Sequence, residues 1–132
     1  MRGLDTNVLV RYLINDDPRQ ALAAEQILED CRRTREPVFL SVLVLCELVW
    51  VLDRSYGQSK TEIRAILEKL VEADIFRVEQ EEVVRKSLAH YARGKGSFAD
   101  YLIAEIGMAA GCQDTVSFDR ALKGAPGFTV LT

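Results

Sequence analysis

The sequence predicts an α/β domain built around a central, mostly parallel sheet of about five strands. Short apolar runs alternate along the chain with longer stretches of helical periodicity. The short runs are continuously apolar, as expected of parallel strands that are covered on both faces. The chain has 132 residues, of which 48% are hydrophobic, and this suits one domain over residues 1–132.

The N-terminal part predicts a short strand followed by two helices. The strand candidate, residues 3–4, runs into Asp-Thr-Asn at residues 5–7, three residue types that accept hydrogen bonds from the N–H groups of a helix start. Apolar residues then recur at helical spacing. Pro18 suits the first turn of a second helix, because it lacks an N–H group, and Pro37 is expected to end that helix.

The middle of the chain predicts two more strands and two more helices. Residues 38–40 form a strand candidate that leads into residues 41–54, an almost wholly apolar segment that predicts a buried helix. Ser59 and Glu62 have the spacing of a capping box, which starts a fourth, amphipathic helix. Residues 75–78 form the third strand candidate.

The C-terminal part continues the alternation. It carries helix candidates at residues 83–92 and 98–110, a short helix at 119–123, and strand candidates at 115–118 and 128–131. A Gly-Lys-Gly segment separates the two long helices, and Ser97 is placed to cap the second of them.

Net charge, cysteine spacing and the lengths of the apolar segments limit the classes of function that the protein could have. A net charge of −3 argues against a protein that coats duplex DNA by charge alone, but a nuclease remains open because bound cations can reverse the sign of an acidic site. The three cysteines lack the spacing of a metal site or a disulfide framework, so they predict small buried side chains in a reducing cytoplasm. Neither a signal peptide nor a membrane span is expected.

Four acidic residues occupy matching positions in this pattern. Asp5 follows the first strand, Glu47 lies two turns into the helix after the second, Asp100 starts a helix, and Asp119 follows the fourth strand. Because sites in parallel sheets form at the carboxyl ends of the strands, these acids could converge there. Their mutual repulsion would be relieved by one or two divalent cations, and Mg²⁺ and Mn²⁺ prefer such carboxylate ligands.

Each acid also has a purely structural explanation that the sequence leaves open. Asp5 and Asp119 could cap the helices that they precede, and Asp100 could favour a helix N-terminus through the dipole. Glu47 could instead pair with an arginine. The candidate arginines are Arg11 and Arg54.

The segments that carry these acids resemble a known family. MRGLDTNVLVRYL, the acid within SVLVLCELVWVL, SFADYLIAEIGMAAGC and TVSFDRAL occur in an order and spacing similar to PIN domains, and more narrowly to VapC-type toxins. The resemblance covers essentially the whole chain and implies a PIN-like α/β/α sandwich. It further implies an Mg²⁺- or Mn²⁺-dependent endoribonuclease that cleaves RNA with metal-activated water. The implied catalytic and metal-ligating residues are Asp5, Glu47, Asp100 and Asp119.

Other residues are candidates for supporting roles around this site. Asn7 and Ser117 are expected to orient carboxylates or waters. Ser117 stands where the family often has threonine, so a hydroxyl is kept. Arg11, Arg93 and Lys95 are expected to contact RNA phosphates, which would position the RNA without reading its sequence. Asp119 is the least secure of the four acids, because another aspartate begins the same strand.

The resemblance also implies partners. A small VapB-type antitoxin would inhibit the acidic site, with its C-terminal segment in a groove of the toxin, and a homodimer is expected. The second and fourth helices, with Tyr12 and Trp50, could supply the groove, although side chains of this kind more often belong to the core.

Two rival functions remain at this point. A phosphoryl-transfer domain of the haloacid-dehalogenase kind needs a second aspartate where Asn7 stands, and a receiver domain needs an aspartate after the third strand, whereas Asp74 precedes it. A non-catalytic PIN-like module that only holds a partner is the stronger alternative.

Overall fold

Every apolar run predicted as a strand forms one, and helices occupy the predicted connections. The computed structural model describes residues 1–132, and it confirms the α/β class. The strands are β1 (Arg2–Gly3), β2 (Val38–Leu40), β3 (Phe76–Val78), β4 (Thr115–Ser117) and β5 (Phe128–Val130). The helices are α1 (Thr6–Leu13), α2 (Pro18–Thr34), α3 (Val42–Arg54), α4 (Lys60–Glu72), α5 (Glu81–Arg93) and α6 (Phe98–Ala109), with a 3-10 helix at Arg120–Leu122.

The chain forms two compact units, Met1–Glu79 and Gln80–Thr132. In the first unit β1, β2 and β3 form a parallel sheet with β2 in the centre. In the second unit β4 and β5 pair in parallel. The five strands are therefore present and parallel as predicted, and their hydrogen bonds form one ladder of three strands and one of two.

The sheet of the first unit sets the positions of several polar residues. Because β1, β2 and β3 run in the same direction, Asp5, Ser41 and Glu79 all follow strands at one edge of this sheet. Ser41 Oγ and Glu79 Oε1 accept hydrogen bonds from N–H groups in the first turn of α3, at 3.1 and 2.9 Å. The start of α3 is thereby fixed at the edge where Asp5 lies.

Helix α3 is only half buried, which corrects the prediction for this segment. Leu45 and Leu48 are fully buried, but Leu43 is 73% and Trp50 61% exposed. Glu47 shares the exposed side of the helix. A continuous apolar run does not show which face meets the core, so the sequence overstated the burial of Glu47, and the assignment of Trp50 to the core is wrong.

The cysteines do not behave alike. Cys31 is buried, Cys46 is half-buried and Cys112 is exposed, and all three are free thiols. Burial raises the pKa of the Cys46 thiol. The predicted buried character is thus confirmed for Cys31 and wrong for Cys112. None of the helices combines the length and the apolar content that crossing a bilayer requires.

Candidate active site

Asp5 joins the first strand to the first helix. Its backbone is extended and its Oδ1 accepts a hydrogen bond of 2.8 Å from the N–H of Thr6, which makes it the N-cap of α1. The side chain is exposed, and Oδ2 makes no hydrogen bond with the protein. The capping role that the sequence left open is therefore present, and it occupies only one carboxylate oxygen.

Thr6 connects the first two predicted acids. It is only 6% exposed, and its hydroxyl donates a hydrogen bond of 2.9 Å to Oε1 of Glu47 on α3. One residue thus holds Asp5 through its backbone N–H and Glu47 through its side chain. Buried threonine hydroxyls need a partner, and here that partner is a carboxylate.

Glu47 has no arginine partner. The guanidinium of Arg11 contacts Asp16 instead, and Arg54 forms no salt bridge. The explanation of Glu47 as half of a buried ion pair is therefore wrong. An exposed carboxylate needs no such compensation, and Oε2 of Glu47 has no protein partner.

Asp100 is the third residue of α6 and is half-buried. It forms a reciprocal capping box with Ser97, in which Ser97 N–H donates to Asp100 Oδ2 at 2.8 Å and Asp100 N–H donates to Ser97 Oγ at 3.1 Å. This arrangement satisfies two N–H groups of the helix start and fixes the carboxylate. Its Oδ1 again makes no hydrogen bond.

Asp119 caps the 3-10 helix. Its Oδ1 accepts from the N–H of Ala121 at 2.9 Å, and its own N–H donates to Ser117 Oγ at 3.0 Å. Ser117 therefore fixes the backbone at Asp119, and its predicted role toward a carboxylate or a water stays a prediction. The competing acid of this strand, Asp114, accepts a short hydrogen bond from the hydroxyl of Thr129. Each of these two aspartates therefore accepts one hydrogen bond on one carboxylate oxygen.

The four acids share one local design. Each accepts a single hydrogen bond on one oxygen and leaves the other without a protein partner, and none takes part in a salt bridge. Their unengaged oxygens are hard donors of the kind that Mg²⁺ and Mn²⁺ prefer, so the donor chemistry fits these ions. Asp5 and Glu47 belong to the first unit, and Asp100 and Asp119 to the second. No group of three or more His, Cys, Asp or Glu side chains is placed to hold a metal ion.

The supporting residues of α1 differ in their engagement. The Asn7 side chain is exposed and makes no hydrogen bond, whereas the Arg11 guanidinium donates to Gln20 at 2.6 Å, to Asp16 at 3.1 Å and to Tyr56 at 3.2 Å. Arg11 thus ties α1 to the segments around it. A role for Arg11 toward RNA stays a prediction.

The contact between Tyr56 and Asp16 predicts a dependence of stability on pH. The Tyr56 hydroxyl donates to Asp16 at 2.7 Å, and this bond, with the charge of Arg11, lowers the pKa of Asp16. A carboxylate with a lowered folded-state pKa stabilises the fold above its unfolded pKa of about 3.9, and the stabilisation is lost as pH falls through the folded value. Tyr56→Phe should therefore lower the urea midpoint at pH 7, and by less at pH 3.

The matched control is Tyr12→Phe. The Tyr12 hydroxyl accepts a hydrogen bond from Arg32 and contacts no carboxylate. Its removal should have the same effect on the urea midpoint at both pH values. If the effect of Tyr56→Phe is equally large at both, the hydrogen bond to Asp16 does not lower its pKa.

His90, the only histidine, makes no hydrogen bond with any of these four acids. It contacts Glu105 at 3.1 Å, and Glu105 is 7% exposed. This contact joins α5 to α6. The exposed side chains of Arg93 and Lys95 form no ion pair.

Comparison with known proteins decides the family. The sequence model of the PIN domain matches residues 4–127. The chain belongs to the PIN domain family. It is also 28% identical over 123 residues to a VapC ribonuclease of Aquifex aeolicus (strain VF5), covering 93% of this chain and 90% of that protein. The predicted resemblance to PIN domains, and more narrowly to VapC-type proteins, is confirmed.

The sequence does not indicate the contact that Thr6 makes in this PIN domain. Its residue type and position predict only a helix cap, whereas its hydrogen bond to Glu47 spans 41 positions of the chain. The one available signal was a hydroxyl directly after a strand-ending acid. No local pattern gives the partner of such a hydroxyl.

The Thr6 hydroxyl provides a test of how Glu47 is positioned in the PIN domain. If this PIN domain cleaves RNA with Glu47 as a metal ligand, Thr6→Val should lower the cleavage rate by about 10-fold or more, because the loss of a group that orients a metal ligand typically has this effect. Thr6→Ser keeps the hydroxyl and should retain most of the activity. Initial rates measured beside thermal melts would separate this effect from unfolding, and a fully active Thr6→Val protein would show that the contact is dispensable.

Proposed function

We propose that this PIN domain, acting as a single domain over residues 1–132, is a metal-dependent endoribonuclease and the toxin of a type II toxin–antitoxin pair. The observation that carries the proposal is that Asp5 and Glu47 are both held by Thr6, each through one carboxylate oxygen, with the other oxygen left without a protein partner. Membership of the PIN family and the similarity to a protein named VapC ribonuclease support it.

In the proposed reaction the four acids would hold Mg²⁺ or Mn²⁺. The bound ions would supply a water of lowered pKa and would stabilise charge on the leaving oxygen. Thr6 and Ser117 keep Glu47 and the backbone of Asp119 in place, and Asn7 has an unengaged amide that could orient a water or a carboxylate. Hydrolysis by water leaves a 5′-phosphate and a 3′-hydroxyl.

The reaction needs neither a nucleophilic side chain nor a pair of histidines that act as acid and base. The single histidine already contacts Glu105. Arg93 and Lys95 are exposed and are proposed to contact RNA phosphates. An RNA substrate would place the activity in the cytoplasm.

A VapB-type antitoxin is the proposed inhibitor, and a homodimer the proposed assembly. The exposed apolar side chains of α3, Leu43 and Trp50, lie on the same face as Glu47 and give an inhibitor apolar surface beside an acid. Tyr12 contributes less to such a surface than the sequence suggests, because it is half-buried and packs edge-on against Phe76 at 6.4 Å.

The deciding experiment is cleavage of a mixed cellular RNA pool by the purified protein with Mn²⁺ and with EDTA. Asp100→Asn is the matched variant, since its amide oxygen can still accept the hydrogen bond from Ser97. Metal-dependent cuts with 5′-phosphate ends, absent in the variant, are expected. Cleavage that persists in EDTA would contradict the proposal.

A non-catalytic PIN-like module is the second candidate. It is favoured by one finding, the lack of any three acidic, His or Cys side chains placed to hold a metal ion. Calorimetry with Mn²⁺ separates the two, because the nuclease should bind Mn²⁺ in a manner that depends on Asp5 and a partner-holding module need not.

A further inference from the structure

The second unit contains a cavity of about 640 Å³ with basic walls. It lies between the end of α5, the loop that follows it, and the segment that includes the 3-10 helix. Four of its lining side chains are cationic at neutral pH, namely Arg93, Lys95, Arg120 and Lys123, and none is acidic. A volume of this size is typical of ligand sites, which span about 300–1,000 Å³.

The positive charge of the cavity is not neutralised by the protein. None of the four cations forms a salt bridge, although the chain as a whole carries a net charge of −3. Elsewhere in the chain five of the ten other arginines are paired with carboxylates, namely Arg11, Arg32, Arg33, Arg64 and Arg85. A concave surface lined by one sign of charge focuses its field and concentrates ions of the opposite sign.

The loop that carries Lys95 is held in place. The Gly96 N–H donates a hydrogen bond of 3.0 Å to the hydroxyl of Tyr101, which is 1% exposed. A Cβ atom at Gly94 would lie 1.7 Å from the same hydroxyl, so only glycine fits there. The backbone on both sides of Lys95 is thus packed against α6, and the wall of the cavity is formed before any ligand arrives.

The basic cavity adjoins both predicted acids of its unit. Tyr101 and Arg120 line the cavity and directly follow Asp100 and Asp119 in the chain. Lys95, also in the lining, directly precedes Gly96, whose Cβ position is 3.2 Å from Oδ2 of Asp100. Anionic groups in the cavity would therefore be bound next to the carboxylates. Arginine forks and lysine ammonium groups are the usual protein ligands of phosphate oxygens.

We propose that this cavity binds backbone phosphates of the RNA strand, beside the phosphate that is cleaved. The inference rests on the proposed function for its choice of RNA as the ligand, and it adds Arg120 and Lys123 to the RNA-binding residues. Contacts of this kind set the position of the strand and leave sequence preference to other groups.

The test is RNA binding measured apart from cleavage, by fluorescence anisotropy with a short labelled single-stranded RNA on the Asp5→Asn background. The double substitution Arg120→Ala with Lys123→Ala should raise Kd about 10-fold and reduce the salt slope of log K by about 1.4, the value for two contacts to a single strand. Lys69→Ala with Lys86→Ala removes the same charge at exposed sites outside the cavity and should change neither quantity.

The outcomes are separable from those of the proposed function. Equal weakening by both double substitutions would show a general charge effect and would overturn the inference. Unchanged RNA binding by the cavity variant, with loss of binding to polyglutamate, would assign the cavity to an acidic protein segment and overturn it as well. RNA binding that depends on the cavity in a protein that cleaves no RNA would sink the nuclease and leave the phosphate site standing.

Discussion

Asp5→Asn is expected to abolish RNA cleavage while leaving the fold intact. The substitution removes a negative charge and one proposed metal ligand, but the amide oxygen can still accept the hydrogen bond from the Thr6 N–H that caps α1. The activity should fall by more than about 100-fold, since the loss of groups that merely orient metal ligands already costs 10–100-fold. Cleavage rates with Mn²⁺ and a thermal melt of the same sample make the comparison.

The matched control is Asp17→Asn, which changes an aspartate that caps α2 in the same manner. Asp17 Oδ1 accepts from the N–H of Gln20 at 3.2 Å, and this residue is not among the proposed metal ligands. The control should melt like the Asp5 variant and cleave RNA like the wild type. Equal activity of the two variants would remove Asp5 from the site.

Gly94→Ala is expected to cause the largest loss of stability from a single added methyl group. The new Cβ would lie 1.7 Å from the hydroxyl and 2.7 Å from Cζ of Tyr101, so the loop or α6 must shift. Overpacking of this kind costs about 1–3 kcal/mol. The backbone φ of Gly94 is −96°, which alanine adopts readily, so the expected loss comes from space and not from conformation.

Gly107→Ala adds the same methyl group and is expected to act in the opposite direction. Gly107 lies within α6, and the nearest atom to its Cβ position is Thr115 Oγ1 at 3.4 Å. Alanine in a helix is favoured over glycine by about 0.5–1 kcal/mol. Urea unfolding of the two variants would measure both effects, and a similar loss in both would contradict the steric argument.

The positions of the elements could be predicted because each carries its own local signal. Ser59 and Ser97 predict the starts of α4 and α6, and both form the expected capping hydrogen bonds. Helix α2 ends before the predicted stop at Pro37, because Arg35 adopts a left-handed φ of 57°. That conformation is uncommon for residues other than glycine and asparagine, so an arginine at this position does not predict the end of the helix.

The acids of the candidate site can be named from the sequence, but their contacts cannot. Asp5 and Asp119 stand out because they follow strands, and that position depends only on the order of elements. The partner of Glu47 depends on how α1 and α3 are brought together, and no local pattern contains that information. The basic cavity could not be predicted from local sequence either, because Lys123 lies nearly thirty positions from Lys95.

The separate use of the two oxygens of each acid has a thermodynamic consequence. The oxygens that cap α1 and α6 are not the ones left for a cation, so ion binding and folding do not compete for the same atoms. By mass action, a cation at 100 times its Kd would then raise the free energy of unfolding by about 2.7 kcal/mol. The cation-bound protein, which is the form proposed to cleave RNA, would therefore also have the highest Tm. Removal of the cation by a chelator would lower Tm without first disrupting a helix.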